Sequence, residues 1–184
     1  MSKKFRIKTK DVAFQFRMGA GFPGDVNRSH PVSIEPALID PTTPPTAYGQ
    51  PVLINSTTQG VRIFAAGDQS NTVESGYGIT VRPYPSQAAS GGGNFGAASL
   101  GASAPPLTGV IDILRAGYIM GYLPAGGSPK KGDSVYVWSV ASTGGNVLGS
   151  LTAAYSAGNT TKLKNATFNG SPDANGFVEI AFNI

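Results

Sequence analysis

Residues Tyr77-Gly78-Ile79-Thr80-Val81-Arg82-Pro83-Tyr84-Pro85 alternate in character and then stop on two prolines. Tyr77, Ile79 and Val81 fall on one face of an extended chain and Gly78, Thr80 and Arg82 on the other, the period-two pattern of a half-buried strand. Pro83 and Pro85 have no N–H to give a ladder, so pairing is expected to end there. Upstream, Gly60-Val61-Arg62-Ile63-Phe64 reads as a second short strand, joined to the first through the polar, turn-rich Gly67-Asp68-Gln69-Ser70-Asn71. The two are expected in one sheet at the centre of an all-β domain. The same punctuation runs through the whole chain: 25 glycines and 14 prolines among 184 residues, with 13% charged, favour short strands and turns over long helices.

In chain order, Val12, Phe14, Phe16 and Met18 alternate with Ala13, Gln15 and Arg17 and predict a first strand, which Gly19 to Asp25 breaks. From Pro31 to Pro51 the prolines at 31, 36, 41, 44, 45 and 51 recur too often for a helix or a central strand. An extended loop wrapping a surface is expected there, with Val32, Ile34, Leu38 and Ile39 as anchors. Gln87 to Thr108 is rich in Gly, Ala and Ser; a loop of that length is expected to be mobile or to order against a partner. Gly109 to Leu123 is the densest apolar run, and its β-branched residues and internal Gly117 and Gly121 predict a strand with a bulge or bend.

Ser134 to Val140 predicts a strand with Val135 and Val137 on one face and Tyr136, Trp138 and Val140 on the other. Asn146–Tyr155, Leu163–Phe168 and a terminal strand follow, the last carrying Val178, Ile180, Phe182 and Ile184 on one face after a tight turn at Asp173-Ala174-Asn175-Gly176. The count comes to about eight or nine short strands, hence a sandwich, jelly roll or barrel. The expected organisation is a basic N-terminal arm with the first strand over 1–20 and a single β domain over 21–184.

The charge is unevenly placed. Lys3, Lys4, Arg6, Lys8, Lys10 and Arg17 stand against Asp11 in residues 1–17, a local +5 that leaves −1 for the rest of a chain whose net charge is +4. Such an arm suits an acidic protein rim or nucleic acid, but with no interleaved aromatic beyond Phe5 it gives little support to single-strand binding, and no nucleic-acid partner is expected. No apolar h-region follows the charges and no run approaches the roughly 18 apolar residues of a membrane span, so neither a signal peptide nor a membrane partner is expected.

Catalytic signals are sparse. Without cysteine there is no disulfide, thiolate chemistry or Cys-ligated zinc, and His30 is the only histidine, so a two-His metal site is excluded. His30 sits in a loop before Pro31 and reads as a surface residue. Glu35 and Asp40 are a conceivable acid pair of the kind glycosidases need, yet the ten acids are scattered singly. Gly91-Gly92-Gly93-Asn94-Phe95-Gly96 matches a dinucleotide fingerprint in spacing but opens no βαβ unit, and reads as a loop. No catalytic residue, metal or cofactor is expected. Tyr136 and Trp138 suit sheet packing better than a carbohydrate platform.

Gly24-Asp25-Val26-Asn27-Arg28, Ile34-Glu35-Pro36, Tyr48-Gly49-Gln50-Pro51-Val52, Gly78 to Pro85 and Asp112-Ile113-Leu114-Arg115-Ala116-Gly117-Tyr118, in that order, resemble the structural cement or head decoration proteins of tailed bacteriophages. The likeness runs from about Gly21 to Tyr122 and more loosely through Val135-Tyr136-Val137 to Gly176-Phe177-Val178-Glu179-Ile180. It implies a β-rich homo-oligomer, trimer or dimer, made in the bacterial cytoplasm. Such a protein would bind the outer surface of the expanded head in the virion and bridge major capsid proteins. The interacting residues would then be Lys3, Lys4, Arg6, Lys8, Lys10 and Arg17 on the arm, Pro36, Leu38 and Ile39 in the proline-rich segment, and Arg28, Tyr48, Arg82, Tyr84 and Arg115. For Arg28, Arg62, Arg82 and Arg115, internal pairing with Asp25, Asp68 or Asp112 is equally open. The alternative function is a receptor- or carbohydrate-binding β module of a tail or surface appendage.

Overall fold

The computed structural model describes residues 21–69, 75–83 and 104–184. These form nine strands: β1 (Ser33–Leu38), β2 (Pro51–Ile54), β3 (Val61–Ile63), β4 (Gly78–Thr80), β5 (Val110–Tyr122), β6 (Ser134–Trp138), β7 (Leu151–Thr152), β8 (Thr160–Phe168) and β9 (Phe177–Phe182). The all-β expectation holds. The first strand predicted over Val12–Met18 and most of the Gly/Ala/Ser-rich segment 87–108 lie outside the described residues.

The strands follow the order β3-β2-β4-β5-β9-β8-β6-β7, with β1 added on β5. Every strand pair is antiparallel. The long β5 joins the two halves because it changes partners along its length. Its first part pairs with β1 and β4, its last part with β9. The changeover is a bulge: Ile34 faces Leu114 and Ser33 faces Ala116, so Arg115 is the extra residue. Gly117 follows with φ +139°, and a Cβ there would meet the Pro31 carbonyl oxygen at 3.0 Å. Glycine is therefore what lets β5 bend at this point.

The β1 edge of the sheet curls round to β3. Beyond β1, Ile39 forms a parallel bridge to Val61 on β3, and the Asp40 N–H donates to the Val61 carbonyl at 2.9 Å. This closes β1, β5, β4, β2 and β3 around a small core of Ile39, Tyr48, Val52, Val61, Ile111 and Ile113. A larger core, with Phe64, Leu114, Ile119, Val135, Val137, Leu163, Phe168, Val178, Ile180 and Phe182 among its members, fills the other half. There Ser75, just ahead of β4, bridges Leu163 on β8.

Four expectations are corrected by this arrangement. β4 is buried on both faces, not half-buried, because it is the wall between the two cores: Ile79 and Val81 enter the larger one while Thr80 pairs beside Ile113 of the smaller. The Thr80 hydroxyl is satisfied there, accepting from the Gln50 N–H at 3.0 Å and donating to the Ala47 carbonyl at 3.0 Å. β3 and β4 share one sheet as expected, with β2, which the proline pattern concealed, between them.

The proline-rich segment holds strand β1 rather than loop throughout. Asp112 directs its carbonyl to the N–H of Val81, just past β4, so Pro36 opposite it turns its nitrogen away from β5, where no ladder bond is lost. Finally, the strand expected over Asn146–Tyr155 shrinks to Leu151–Thr152, and Ile184 is 52% exposed although Val178, Ile180 and Phe182 are buried.

Candidate interaction surfaces

Each of the four arginines of the described body has an internal partner. Arg62 holds Asp68 with two bonds of 2.7 and 2.9 Å across the β3 turn. Arg82 donates to the Pro23 carbonyl at 3.3 Å, lies 3.9 Å from Asp25 and stands over the rings of Phe22 and Tyr48. Arg115, thrown out by the bulge, stacks 3.7 Å over Tyr77 and pairs with Glu35 at 3.4 Å, while the Tyr77 hydroxyl donates to the same carboxylate. Arg28 stacks 3.8 Å over Tyr118 and reaches Glu179 at 2.9 Å. The pairing acids are thus Asp25, Asp68, Glu35 and Glu179; Asp112 is exposed and takes none of them.

Glu179 is the most heavily bonded of these acids. Burial alone would push its pKa up, but donors from Asn169, Arg28 and Asn27 outweigh that and hold it below the usual carboxylate range. A carboxylate depressed on folding stabilises above its unfolded pKa, about 4.3, and loses that contribution as pH falls through the folded value. Glu179→Gln is therefore expected to lower the thermal midpoint at pH 7 and to converge on the parent protein as the pH is taken towards 3. Parallel melting-temperature curves across that range would contradict the assignment.

Of the predicted contact residues, Ile39 and Tyr48 are core members at 6% exposure each and offer no surface. Burial raises the Tyr48 phenol pKa, with Arg82 opposing. Lys3, Lys4, Arg6, Lys8, Lys10, Arg17 and Tyr84 lie outside the described residues. Pro36 and Leu38 are exposed, and the register of β1 on β5 extends them into a strip: Leu38 (62% exposed) opposite Val110 (58%), Pro36 opposite Asp112, and Ile34 (43%) next along. Val110 was not singled out because it opens the densest apolar run of the sequence; pairing with Leu38 is the signal that finds it.

A second exposed group was also missed. Phe22 and Tyr122 flank Phe177, with ring centroids 6.3 and 5.8 Å away. Tyr136 and Trp138 follow the packing expectation: Trp138 is buried and donates its indole N–H to the Ala141 carbonyl, and Tyr136 lies against Tyr155.

Glu35 and Asp40 do not form one site. Glu35 belongs to the Tyr77–Arg115 group, whereas Asp40 is buried and accepts from the Thr42 N–H at 2.9 Å and from Asn55. These donors, the Thr42 N–H foremost, keep its pKa below the ordinary value. Among the described residues no group of three or more His, Asp or Glu side chains is placed to hold a metal ion. The geometry is that of a β body with its four described arginines internally engaged and an exposed apolar strip along β1 and the start of β5.

Residues 12–182 match the model of the XM1 gp53 minor capsid protein family. The chain belongs to that family. This makes it a structural protein of the bacteriophage capsid, in keeping with the decoration-protein resemblance of its motifs. Among solved structures it is similar to a chain of the capsid of Myoviridae phage XM1, at 16% sequence identity and a TM-score of 0.62 over 88% of this chain and 89% of that one. At that identity the likeness speaks for the fold. No curated protein matches the chain. The family match reaches back to Asp11's neighbour Val12, so it takes in the alternating Val12–Met18 run as well as the body.

Proposed function

We propose that this minor capsid family member is a cement protein, which binds the outer surface of the expanded head and bridges major capsid proteins so that the shell withstands the pressure of packaged DNA. The observation that carries the reading is the family match over nearly the whole chain, together with a body that presents an exposed apolar strip. A ligand that binds one state of a lattice stabilises that state by mass action, and many copies multiply modest contacts. The arm, with its local +5, suits an acidic rim on the head. The receptor- or carbohydrate-binding alternative draws less support: the exposed rings of Phe22 and Tyr122 stand at 58° and 72° to Phe177, an interlocked cluster and not a flat platform. Purified protein added to bare expanded heads of the cognate phage is expected to bind saturably and to raise the temperature at which they release DNA. No binding to such heads, or binding without an effect on DNA retention, would overturn the reading.

A further inference from the structure

We infer that Pro36 is a block on the open edge of β1, keeping that edge from pairing with the β1 edge of a second copy of this chain. The inference concerns the free protein and does not rest on the cement reading.

Among the described residues β1 has a strand on one side only, β5. Which backbone groups face the other side follows from the register, because residues of an antiparallel pair alternate between bonding the partner and bonding away from it. Ile39 donates its N–H to the Gly109 carbonyl at 2.9 Å, on the β5 side, whereas Asp40 donates to the Val61 carbonyl at 2.9 Å, on the opposite side. The Asp112 carbonyl, bonded to the Val81 N–H and so turned away from Pro36, fixes the same alternation within the strand. Glu35 and Ala37 therefore bond β5, and Ile34, Pro36 and Leu38 turn their backbone groups to the open edge.

A row of unpaired N–H and C=O groups is a template for another chain. Here the side chains add to the attraction: Ile34 is 43% exposed, Leu38 62%, and Val110 beside Leu38 58%. Two β1 edges set antiparallel would place Ile34 opposite Leu38 and Pro36 opposite Pro36. Ile34 and Leu38 are able to exchange both of their bonds. Pro36 has no N–H, and its ring stands where the bridging hydrogen would be, so the pairing fails at its centre. Sliding one strand by two residues puts Pro36 opposite Ile34 or Leu38 and loses a bond just the same.

Nothing else on the strand supplies this protection. β1 carries no lysine, and the Glu35 carboxylate is engaged by the Tyr77 hydroxyl and Arg115. Past Leu38 the edge is already taken, since the Asp40 N–H is bonded to Val61 on β3. Pro36 thus sits in the middle of the stretch that is left open, which is where a residue without a donor interrupts pairing most.

Pro36→Val supplies the missing donor and a side chain suited to a strand. Without heads present, its weight-average mass by light scattering is expected to rise at least about twofold above that of the parent protein, the least that joining two copies gives. Pro41→Val, in the exposed turn after β1, is expected to leave the mass unchanged. Association through unfolding is distinguished by adding Ile34→Lys and Leu38→Lys to Pro36→Val: like charges would then face each other across the new pair, and the mass is expected to return to that of the parent. In the parent protein the amides of Ile34 and Leu38 are expected to exchange with deuterium at least about tenfold faster than those of Glu35 and Ala37. An unchanged mass for Pro36→Val, an equal rise for Pro41→Val, a rise that survives the two lysines, or slow exchange at Ile34 and Leu38 in the parent would each overturn the proposal.

Discussion

Gly78→Ala is expected to cost about 3 kcal/mol of folding stability, the upper end for overpacking a core. Gly78 lies in β4, the strand buried on both sides. A Cβ at this position would strike Cγ2 of Ile113 and come within 2.6 Å of the Leu114 carbonyl oxygen. Ile113 belongs to the small core and Leu114 to the large one, so relief on either side disturbs packing. The carbonyl cannot yield, since it is part of the β5 backbone against which β4 pairs. Gly126→Ala serves as the comparison: a Cβ there meets nothing, and its φ of +73° costs an alanine only about 1–2 kcal/mol. Urea unfolding of the two variants would measure the difference, and equal losses would contradict the role given to β4.

Phe168→Ala is expected to be as damaging or more, at about 3–5 kcal/mol for emptying a fully buried aromatic site. Phe168 ends β8 and pairs opposite Ile180, within the cluster that holds β5, β6, β8 and β9 together. Against a total stability of about 5–15 kcal/mol, that loss leaves the variant close to unfolding at growth temperature. Phe22→Ala, at a site 60% exposed, is expected to change stability by less than about 1 kcal/mol. Denaturation midpoints that put the two variants level would show that the large core is not where the fold is held.

What could be read from the sequence was whatever depends on local alternation. Val178, Ile180 and Phe182 announce a core face, Asp173 to Gly176 a turn, and Gly117 a bend, and each is found where the pattern places it. What could not be read depends on the partner strand. Pro36 argued against a strand at β1 because the sequence does not say that its nitrogen faces an open edge. Gly78 and Thr80 looked like a solvent face because nothing local shows that a second core lies behind them. Arg28 and Glu179 are 151 residues apart, and only the register of β5 on β9 brings them within a hydrogen bond. The exposed strip has the same origin: Leu38 and Val110 become one surface through pairing alone. A bacteriophage capsid family was legible from the order of short motifs.

The most direct measurement of the central claim is co-sedimentation of the purified protein with expanded and with unexpanded empty heads of the cognate phage, with the bound amount followed to saturation. Selective binding to expanded heads, saturating at a fixed ratio to the major capsid protein, is the result the cement account predicts. Equal binding to both forms, or binding to neither, would contradict it.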